Sequence, residues 1–268
     1  MPPVILITGS TDGIGKQTAT ELVRRGAQVI IHGRSESRCI AVQQEIAAHH
    51  PDARVDYVTG DLSSLQEVRT LAEGILRSFP RVDVLINNAG VFMTERRLSV
   101  DGVEMTFAVN HLAPFLLTHL LVPRLTASPD GRVITVSSIA HRNGSIDLLD
   151  LNSERSFSGY SAYATSKLAN ILFTTELARR QPSLSANCLH PGVVNTKLLR
   201  VGFSGVNGND SLEQGAETSV HCALSEEVKG VSGKYFQRKR AVSPSASAMD
   251  DSTAAALWEK SELLCGLR

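Results

Sequence analysis

Cysteine, aromatic residues and an excess of charge of either sign are all scarce in this sequence. Its 268 residues include four cysteines and 5% aromatic residues, and 27 basic side chains balance 27 acidic ones. The cysteines lie far apart, without a C-x-x-C pair or a histidine at ligand spacing, which argues against a disulfide framework and a structural metal site. A net charge of zero argues against a nucleic-acid partner, because such proteins normally carry a basic excess on one face.

Long apolar runs are missing as well. A predicted strand begins directly after Met-Pro-Pro, which leaves no room for a signal peptide. The longest apolar stretch, Leu112–Val122, contains Pro114, Thr118 and His119 and is too short to span a bilayer. We therefore expect no transmembrane segment, a cytoplasmic location, and either a buried helix or a subunit contact at this stretch.

Short β-branched runs alternate with amphipathic stretches over most of the chain. The runs are almost continuously apolar, which is typical of strands covered on both faces. Strands alternating with helices predict right-handed βαβ units, and hence an α/β fold with a doubly wound parallel sheet and helices on both faces. The predicted strands are Val4–Thr8, Gln28–His32, Val55–Thr59, Val82–Asn87, Arg132–Ser137 and Ser185–His190, and the predicted helices are Ile14–Arg25, Glu36–His49, Leu65–Phe79, Val103–Leu125 and Ser161–Arg180.

This length suits one large domain better than two small ones. We predict a single domain over residues 1–268, with a cofactor-binding and catalytic core at 1–190. The remainder, 191–268, would add a substrate loop, a last strand and a terminal helix at Asp251–Leu264. Residues 145–160 are polar and favour a surface insertion. Residues 195–211 contain three glycines and are predicted to be a mobile loop.

A glycine-rich turn, Thr-Gly-Ser-Thr-Asp-Gly-Ile-Gly, joins the first predicted strand to the first predicted helix. Glycines at such a turn permit a tight bend and a close approach of the backbone to a pyrophosphate, and the helix N-terminus favours anions. A plain glycine-rich turn is the alternative, but the position between strand and helix favours a dinucleotide site. The residues predicted to contact it are Thr8, Gly9, Ser10, Asp12, Gly13, Ile14 and Gly15.

The end of the second predicted strand indicates which dinucleotide binds. An acidic residue there binds the ribose 2′-hydroxyl of NAD, whereas an arginine accommodates the 2′-phosphate of NADP. This chain has Arg34 at that point, with Ser35 and Arg38 nearby to assist, while Glu36 suits the first turn of the next helix. A solvated loop arginine is the alternative. We predict NADP(H) in preference to NAD(H).

Asp61 and Leu62 follow the third predicted strand, where an adenine would lie. A structural role competes closely with this interpretation, because Ser63-Ser-Leu-Gln66 matches a capping box that opens the next helix. Asp61 would then only support the turn.

Tyr163 and Lys167 lie one helical turn apart, so both side chains project from one face of a helix. A tyrosine hydroxyl is a poor acid or base near neutrality because its pKa is about 10, and a neighbouring ammonium favours the phenolate and lowers that pKa. The spacing alone also arises by chance on solvated helices. Beside a dinucleotide site, it indicates proton transfer.

Six motifs therefore follow one another along the chain. They are Thr8-Gly9-x-x-x-Gly13-x-Gly15, Asn87-Asn88-Ala89-Gly90, Asn110, Ser138, Tyr163-x-x-x-Lys167 and Pro191-Gly192-x-Val194-x-Thr196. In this order they resemble the short-chain dehydrogenase/reductase family over essentially the whole length, which implies a Rossmann fold. Residues 136–141, the long interval from Ser138 to Tyr163, and residues 161–170 are most similar to the retinol-dehydrogenase-like reductases, many of which carry an N-terminal membrane anchor.

The resemblance implies four catalytic residues. Tyr163 would be the general acid in carbonyl reduction and the base in alcohol oxidation. Lys167 would lower the pKa of Tyr163 and hold the nicotinamide ribose, and Ser138 would bind the substrate oxygen. Asn110 would help to hold a water in a proton relay that ends at Lys167. Ser137 competes for the serine role, but strand alternation points adjacent serines to opposite faces, and the family pattern selects Ser138.

The resemblance also implies further contacts to the cofactor. Asn-Asn-Ala-Gly is equally a good strand-ending turn, and Thr196, which would orient the nicotinamide, is nearly as well explained as the N-cap of a following helix. Lone histidines such as His141 and His190 are more often packing or turn residues. The additional contacts predicted are Asn88, Ala89, Gly90, Pro191, Gly192, Val194 and Thr196, together with Tyr163 and Lys167.

These features predict an NADP-dependent oxidoreductase acting on a small carbonyl or alcohol. The predicted substrate walls, residues 138–143, 145–160 and 195–211, contain Phe157, Leu198, Leu199, Val201 and Phe203, which favours an apolar ketone, aldehyde, retinoid- or steroid-like compound. A non-enzymatic NADP-binding sensor or scaffold on the same fold is the alternative. An epimerase or dehydratase of the related extended group ranks last, because about eighty residues after His190 are too few for its larger C-terminal domain.

The family resemblance implies a homodimer or homotetramer. The expected interface is formed by the helices at Asn110–Leu125 and Ser161–Arg180.

Overall fold

Seven parallel strands and one antiparallel edge strand form the sheet. The computed structural model describes residues 1–203 and 205–268, and Ser204, within the predicted mobile loop, lies outside the described residues. The strand order is β3-β2-β1-β4-β5-β6-β7-β8, and only the β7–β8 pair is antiparallel among the described strands. The strands are β1 Val4–Ile7, β2 Gln28–Gly33, β3 Val55–Thr59, β4 Val84–Asn87, β5 Arg132–Val136, β6 Ser185–His190, β7 Lys234–Gln237 and β8 Arg240–Val242.

Helices cover both faces of this sheet. Alternate strand residues point to opposite sides, so Leu6 and Ile30 pack in one core while Ile5 and Ile31 pack in the other. The described helices are α1 Gly13–Arg24, α2 Glu36–His49, α3 Leu65–Ser78, α4 Met105–Phe107, α5 Ala113–Thr126, α6 Gly159–Arg180, α7 Lys197–Gly202, α8 Leu212–Leu224 and α9 Asp251–Leu264. The α/β, doubly wound Rossmann fold predicted from the sequence is confirmed.

Side-chain caps set the start of the helices that leave the strands. Asp12 caps α1 by accepting from Gly13 N at 2.8 Å, and Ser35 caps α2 by accepting from Arg38 N at 3.4 Å. The capping box predicted at Ser63–Gln66 is wrong by one residue: Ser64 caps α3. The predicted arrangement fails because Ser63 N donates to Asp61 Oδ1, which holds Ser63 in the turn before the helix.

Two predicted elements differ from the structure. The helix predicted at Val103–Leu125 is divided into α4, a π-helical turn at Ala108–Leu112, and α5. The loop predicted at 195–211 contains α7, which Thr196 caps by accepting from Leu199 N. The last strand predicted within residues 191–268, without bounds, corresponds to β7, whereas helix α8 and the antiparallel strand β8 had no predicted counterpart. The residues of the β7–β8 turn, Arg238 and Lys239, have positive φ angles of 49° and 63°.

The last helix, α9, packs over α5 and α6. The Trp258 ring lies 4.9 Å from that of Phe115 and 6.0 Å from that of Phe173, and the Arg180 guanidinium stacks on it at 4.9 Å. Helix α6 is consequently buried along most of its length within one chain. Helix α9 of the same chain therefore occupies part of the surface of the helices expected to form a subunit interface.

The run from Met105 to Thr126 is apolar enough, by length and composition alone, to cross a membrane. The mean hydropathy of its most apolar 18-residue window is 1.4, and 78% of that window is buried inside the fold. The stretch at Leu112–Val122 therefore forms part of a buried helix, which was one of the two alternatives for it.

Candidate active site

The glycine turn after β1 has a backbone that side chains would obstruct. Gly9 and Gly13 have positive φ angles of 62° and 53°. A Cβ on Gly9 would approach Ala89 Cα to 2.8 Å, and a Cβ on Gly15 would approach the Gly9 carbonyl oxygen to 2.3 Å. The turn therefore packs directly on the backbone after β4 and begins α1, whose N-terminal N–H groups favour an anion.

Asn88 and Thr8 fix this turn to the end of β4. The Asn88 amide nitrogen donates to the carbonyl oxygens of Thr8 at 2.9 Å and Gly9 at 3.0 Å. The Thr8 hydroxyl accepts from the backbone N–H groups of Asn88 at 3.0 Å and Ala89 at 3.1 Å. Both predicted roles of the Asn-Asn-Ala-Gly segment are compatible with this geometry, because it ends the strand and supports the turn.

Three residues predicted to contact the cofactor point their side chains elsewhere. Ser10 is fully buried, and its hydroxyl donates to Ile7 O at 2.8 Å. Leu62 packs in the core beneath α3, and Ile14 lies against Gly215 of α8. Packing within the turn and against α8 determines the direction of these side chains, and the contact of the three residues with the cofactor stays a prediction.

Exposed arginines lie beside the ends of β2 and β3. Arg34 is 73% exposed, and its Nη1 lies 4.0 Å from Asp61 Oδ2. Arg38 Nη2 lies 3.4 Å from Asp12 Oδ2, so its charge offsets the carboxylate at the start of α1. Asp61 also supports the turn as predicted, through the Ser63 N–H at 2.9 Å. Arg34 is therefore the more available guanidinium for an anionic group.

Tyr163, Lys167 and Ser138 converge where β5 meets α6. Tyr163 and Lys167 are 6% and 3% exposed, and Lys167 Nζ lies 5.6 Å from the centre of the tyrosine ring. The ammonium donates to Val136 O at 2.9 Å. Ser138 follows β5 and caps a short 3₁₀ helix, whereas the Ser137 hydroxyl is buried and donates to Lys167 O at 2.7 Å. The two serines thus point in opposite directions, with Ser138 on the side of Tyr163.

The pKa values in this group differ from the sequence-based expectation. Burial raises the pKa of Tyr163 to about 12, and its hydrogen bond with Ser138 only partly opposes this. Burial also lowers the pKa of Lys167 to about 8. The net shift of the tyrosine pKa is therefore opposite to the predicted lowering, because the loss of solvent around the phenol outweighs its hydrogen bond with Ser138.

Asn110 lies in the π-helical turn, and its side chain is fully engaged. Its Oδ1 accepts from Val91 N at 2.8 Å, and its Nδ2 donates to Val91 O and to the Ser166 hydroxyl, both at 3.0 Å. The side chain joins the segment after β4 to α6. Both amide hydrogens and one of the two lone pairs of Oδ1 are therefore paired within the protein, and the relay water that Asn110 was expected to help hold stays a prediction.

Gly90 lies between the side chains of Asn110 and Lys167. A Cβ added to Gly90 would lie 3.5 Å from both Asn110 Oδ1 and Lys167 Nζ. A side chain there would therefore fill the space beside the ammonium, and glycine keeps that space open.

The segment after β6 closes over the glycine turn. Thr196 Cγ2 is 3.6 Å from the place of a Cβ on Gly13, so the two segments predicted to hold opposite parts of a dinucleotide face each other. Gly192 has a positive φ of 101°, and a Cβ there would lie 2.6 Å from Asp210 Oδ2. Asp210 accepts from Val193 N at 2.7 Å and thereby holds this segment. Asp210 belongs to none of the six motifs, so this role was not predicted. Thr196 also takes its alternative role as the N-cap of α7.

Pro191 and Val194 complete the predicted contacts in this segment. Val194 is buried and packs on Gly215, so its side chain supports the segment from behind. Pro191 directly precedes the left-handed turn at Gly192.

Aromatic rings surround Tyr163. Phe92 and Phe203 lie 5.6 Å and 5.7 Å from the tyrosine ring and 5.6 Å from each other, and Tyr160 lies 5.8 Å from Phe203. We call the three residues around Tyr163, namely Phe92, Tyr160 and Phe203, the aromatic cluster. Leu198 packs beside it as predicted, whereas Val201 is 46% exposed and Leu199 is buried. Phe92 was not predicted, because nothing local distinguishes it from other residues after a strand.

Three histidines bond to the turns and loops that carry the site residues. His141 is fully buried; its Nδ1 is 2.7 Å from Ser138 O, and its Nε2 accepts from Ser245 N at 3.1 Å. His32 lies at the end of β2, between the glycine turn and the turn after β3. His190 accepts from Ile139 N at 3.3 Å, in keeping with its predicted turn role. The supporting role of His32 was not predicted, since the contacts that define it come from distant segments.

The groups present fit a nicotinamide dinucleotide. Three features lie at the carboxyl ends of the parallel strands: the glycine turn, in which a Cβ would clash, the N-terminus of α1, and the exposed Arg34. The phenol, hydroxyl and ammonium for proton transfer lie at the other end of this row, beside the Thr196 segment.

Comparisons with known proteins agree with this geometry. Residues 3–205 match the family model described as short chain dehydrogenase. The chain is 41% identical to human retinol dehydrogenase 13 over 285 residues, covering 98% of this chain and 84% of that protein. A crystal structure of an uncharacterized protein from Mycobacterium paratuberculosis has a TM-score of 0.82 and 36% identity over 99% of this chain and 96% of its own.

The name of a second similar structure states that it was solved in complex with a cofactor. It is a short chain dehydrogenase from Shigella flexneri complexed with NADP, with a TM-score of 0.72 and 26% identity, and the alignment covers 89% of this chain and 97% of that one. The motifs, the fold and these similarities agree, and the chain belongs to the short-chain dehydrogenase/reductase family of oxidoreductases, in which it is similar to the retinol dehydrogenases.

Proposed function

We propose that this chain is an NADP-dependent oxidoreductase that interconverts a carbonyl and an alcohol on an apolar small molecule. The observation that carries the proposal is the convergence of Ser138, Tyr163 and Lys167 beneath the aromatic cluster, at one end of a glycine-backbone cradle. When bound, the nicotinamide supplies or accepts the hydride.

The chain's own residues would move the proton. Because burial keeps the pKa of Tyr163 near 12, its phenol is protonated at neutral pH and can donate to a carbonyl oxygen on which negative charge develops. Ser138 would donate a hydrogen bond to the same oxygen. Lys167, with a pKa near 8, remains mostly charged at pH 7 and would stabilise the phenolate left behind.

Asn110 would be a positioning residue in this scheme. Its side chain holds the segment after β4 against α6, on which Tyr163 and Lys167 lie. A π-helical turn disturbs the regular i to i+4 pairing of backbone groups, and such turns are frequent at functional sites. A backbone carbonyl of this turn is therefore the group that we propose for a relay water.

The preference for NADP rests on Arg34. Its contact with the half-exposed Asp61 is 4.0 Å long, which is too weak to hold the guanidinium away from a 2′-phosphate. Arg38 is nearer to a partner, at 3.4 Å from Asp12, and would assist less. The similarity to a Shigella flexneri dehydrogenase complexed with NADP supports this choice.

The apolar substrate rests on the aromatic cluster. The rings of Phe92 and Phe203 pack on that of Tyr163, and Tyr160 packs on Phe203, so that the surroundings of the phenol favour an apolar ketone, aldehyde, retinoid- or steroid-like compound. The similarity to proteins named retinol dehydrogenase supports a substrate of this class. The presence of both Tyr163 and Lys167 favours an enzyme over a non-enzymatic sensor.

We also propose a cytoplasmic location, which four free and buried thiols support because disulfides are rare in reducing compartments. We also propose a homodimer or homotetramer; because α9 packs on part of the helices predicted for its interface, α9 would contribute to that interface or the contact would lie elsewhere.

Oxidation of NADPH, compared with NADH, tests the proposal across a panel of aldehydes, ketones, retinal and steroid ketones. Turnover should favour NADPH and should fall by at least ~100-fold in Tyr163→Phe, the lower range for loss of a general acid. Tyr57→Phe is the matched control, because Tyr57 lies in β3 and its hydroxyl donates to Glu36 Oε1 at 3.0 Å, apart from the aromatic cluster. Its turnover should remain within about twofold of the unaltered protein.

Two outcomes would contradict the proposal. Full activity in Tyr163→Phe would refute the proton-transfer role. Tight binding of NADPH without turnover of any carbonyl in the panel would favour the sensor alternative.

A further inference from the structure

His32 connects the two turns that would hold the two ends of an adenosine diphosphate group. It is 2% exposed and lies near the end of β2. Its Nδ1 accepts from Gly9 N, in the glycine turn, at 3.1 Å. Its Nε2 lies 3.2 Å from the carbonyl oxygen of Gly60, in the turn that leads to Asp61. One imidazole therefore spans the space between these turns.

The partners of the ring fix its protonation and orientation. A backbone N–H only donates and a carbonyl oxygen only accepts, so Nδ1 must be unprotonated and Nε2 must carry the proton. Burial lowers the pKa of His32 to about 4, so this neutral form persists at neutral pH. The ring therefore acts as a spacer with a defined acceptor at one end and a defined donor at the other.

The backbone of His32 is held as firmly as its ring. Ser10 N donates to His32 O at 2.9 Å, and His32 N donates to the Ser10 hydroxyl at 3.0 Å. Gly60 N approaches Gly33 O at 3.4 Å on the next residue of β2. Since main chain and side chain are both anchored, the ring transmits the position of β2 to both turns.

The amide of Gly9 is engaged by this contact. The first glycine of the turn consequently directs its N–H inward to the histidine, and the N–H groups at the start of α1 remain for phosphate. The Gly60 carbonyl is likewise turned inward. The spacing of the two turns is therefore set by a side chain that need not touch the ligand.

We propose that His32 is a positioning residue that sets the distance between the glycine turn and the Gly60–Asp61 turn and thereby determines the affinity for the dinucleotide. The inference rests on the proposed function, because it assigns how the same cofactor site is built. Substrate chemistry lies at the opposite end of the cradle, so His32 governs cofactor affinity and leaves the rate at saturating cofactor unaffected.

The test is the dissociation constant of NADPH, measured by fluorescence titration, together with kcat and KM for NADPH. His32→Ala removes both ring contacts and should raise the dissociation constant about tenfold or more, with kcat within about twofold. His32→Gln offers one acceptor and one donor of similar separation, and should recover binding to within about threefold of the unaltered protein.

Asn187→Ala is the matched control. Asn187 is also buried and also bridges backbone groups, accepting from Lys234 N at 3.0 Å and donating to Val231 O at 2.7 Å, but it lies between β6 and β7. It should lower the melting temperature without changing NADPH affinity. His32→Gln also serves where His32→Ala does not fold.

Unchanged NADPH affinity in a folded His32→Ala variant would overturn the inference, as would a fall in kcat with KM unaltered. A glutamine variant no better than alanine would also overturn it. If the unaltered protein bound neither NADPH nor NADH, the proposed function itself would fail. If Asn187→Ala lost as much NADPH affinity as His32→Ala, the loss would reflect lower stability of the fold in general, and the positioning role of His32 would be overturned.

Discussion

Replacing Arg34 with alanine should weaken the use of NADPH while leaving the use of NADH almost unchanged. The two cofactors differ only in the 2′-phosphate, and Arg34 is the exposed guanidinium beside the adenosine end of the cradle. The variant therefore separates recognition of the phosphate from recognition of the rest of the dinucleotide.

The magnitude follows from the exposure of this side chain. A hydrogen bond to a charged group contributes about 1.5–3 kcal/mol. Arg34 is 73% exposed, and solvent screens its interactions, so the lower end of that range applies. We expect a loss of ~1.5–2 kcal/mol, which corresponds to about a 10- to 30-fold decrease in kcat/KM for NADPH. Stability should change little, because the contact with Asp61 is 4.0 Å long.

Steady-state kinetics with one aldehyde and both cofactors provide the assay. Arg38→Ala is the control and should lose less, since Arg38 already pairs with Asp12 at 3.4 Å. Rising ionic strength should narrow the difference between the unaltered protein and Arg34→Ala for NADPH. Equal losses for NADPH and NADH, or no loss for either, would refute the assignment of Arg34 to the 2′-phosphate.

Two further predictions concern proton transfer and packing. Because burial lowers the pKa of Lys167 to about 8, the ammonium is lost as the pH rises through that value, and kcat/KM for carbonyl reduction should fall above it. Lys167→Arg, which stays charged to pH 12, should not show this fall. The same fall in Lys167→Arg would contradict the assignment to Lys167. Trp258→Ala should lower the free energy of unfolding, measured in urea, by ~3–5 kcal/mol. Leu263→Ala, at a 59% exposed position of the same helix, should cost less than ~0.5 kcal/mol, so equal losses would contradict the packing of α9.

The sequence predicts the strands and the first three helices well because their signals are local. Continuous apolar runs identify β1 to β6, and the predicted helix starts at Glu36 and Leu65 agree with α2 and α3, although Ser64 rather than the predicted Ser63 caps α3. The ends of α2 and α9 agree with prediction to the residue. Family motifs likewise placed Ser138, Tyr163 and Lys167 together.

What the sequence does not predict depends on contacts between distant segments. The π-helical turn accompanies the pairing of Asn110 with Val91, and the pKa of Tyr163 depends on burial beneath Phe92 and Phe203 from two other parts of the chain. His32 acquires its role only when the glycine turn and the turn after β3 reach it from both sides. Residue propensities and motif spacing do not indicate which distant segments will come into contact.

The covering of α5 and α6 by α9 has a consequence for biosynthesis. His111 Nε2 bonds to the Ser261 hydroxyl at 2.9 Å, across 150 positions, so this contact cannot form until α9 has been synthesised. About 70 residues separate the end of α6 from the start of α9, which takes roughly 4–14 s to translate at ~5–20 residues per second. Until then the side chains that pack on α9, including Phe115 and Phe173, lack this partner, so this part of the core is completed only when the last helix has been synthesised.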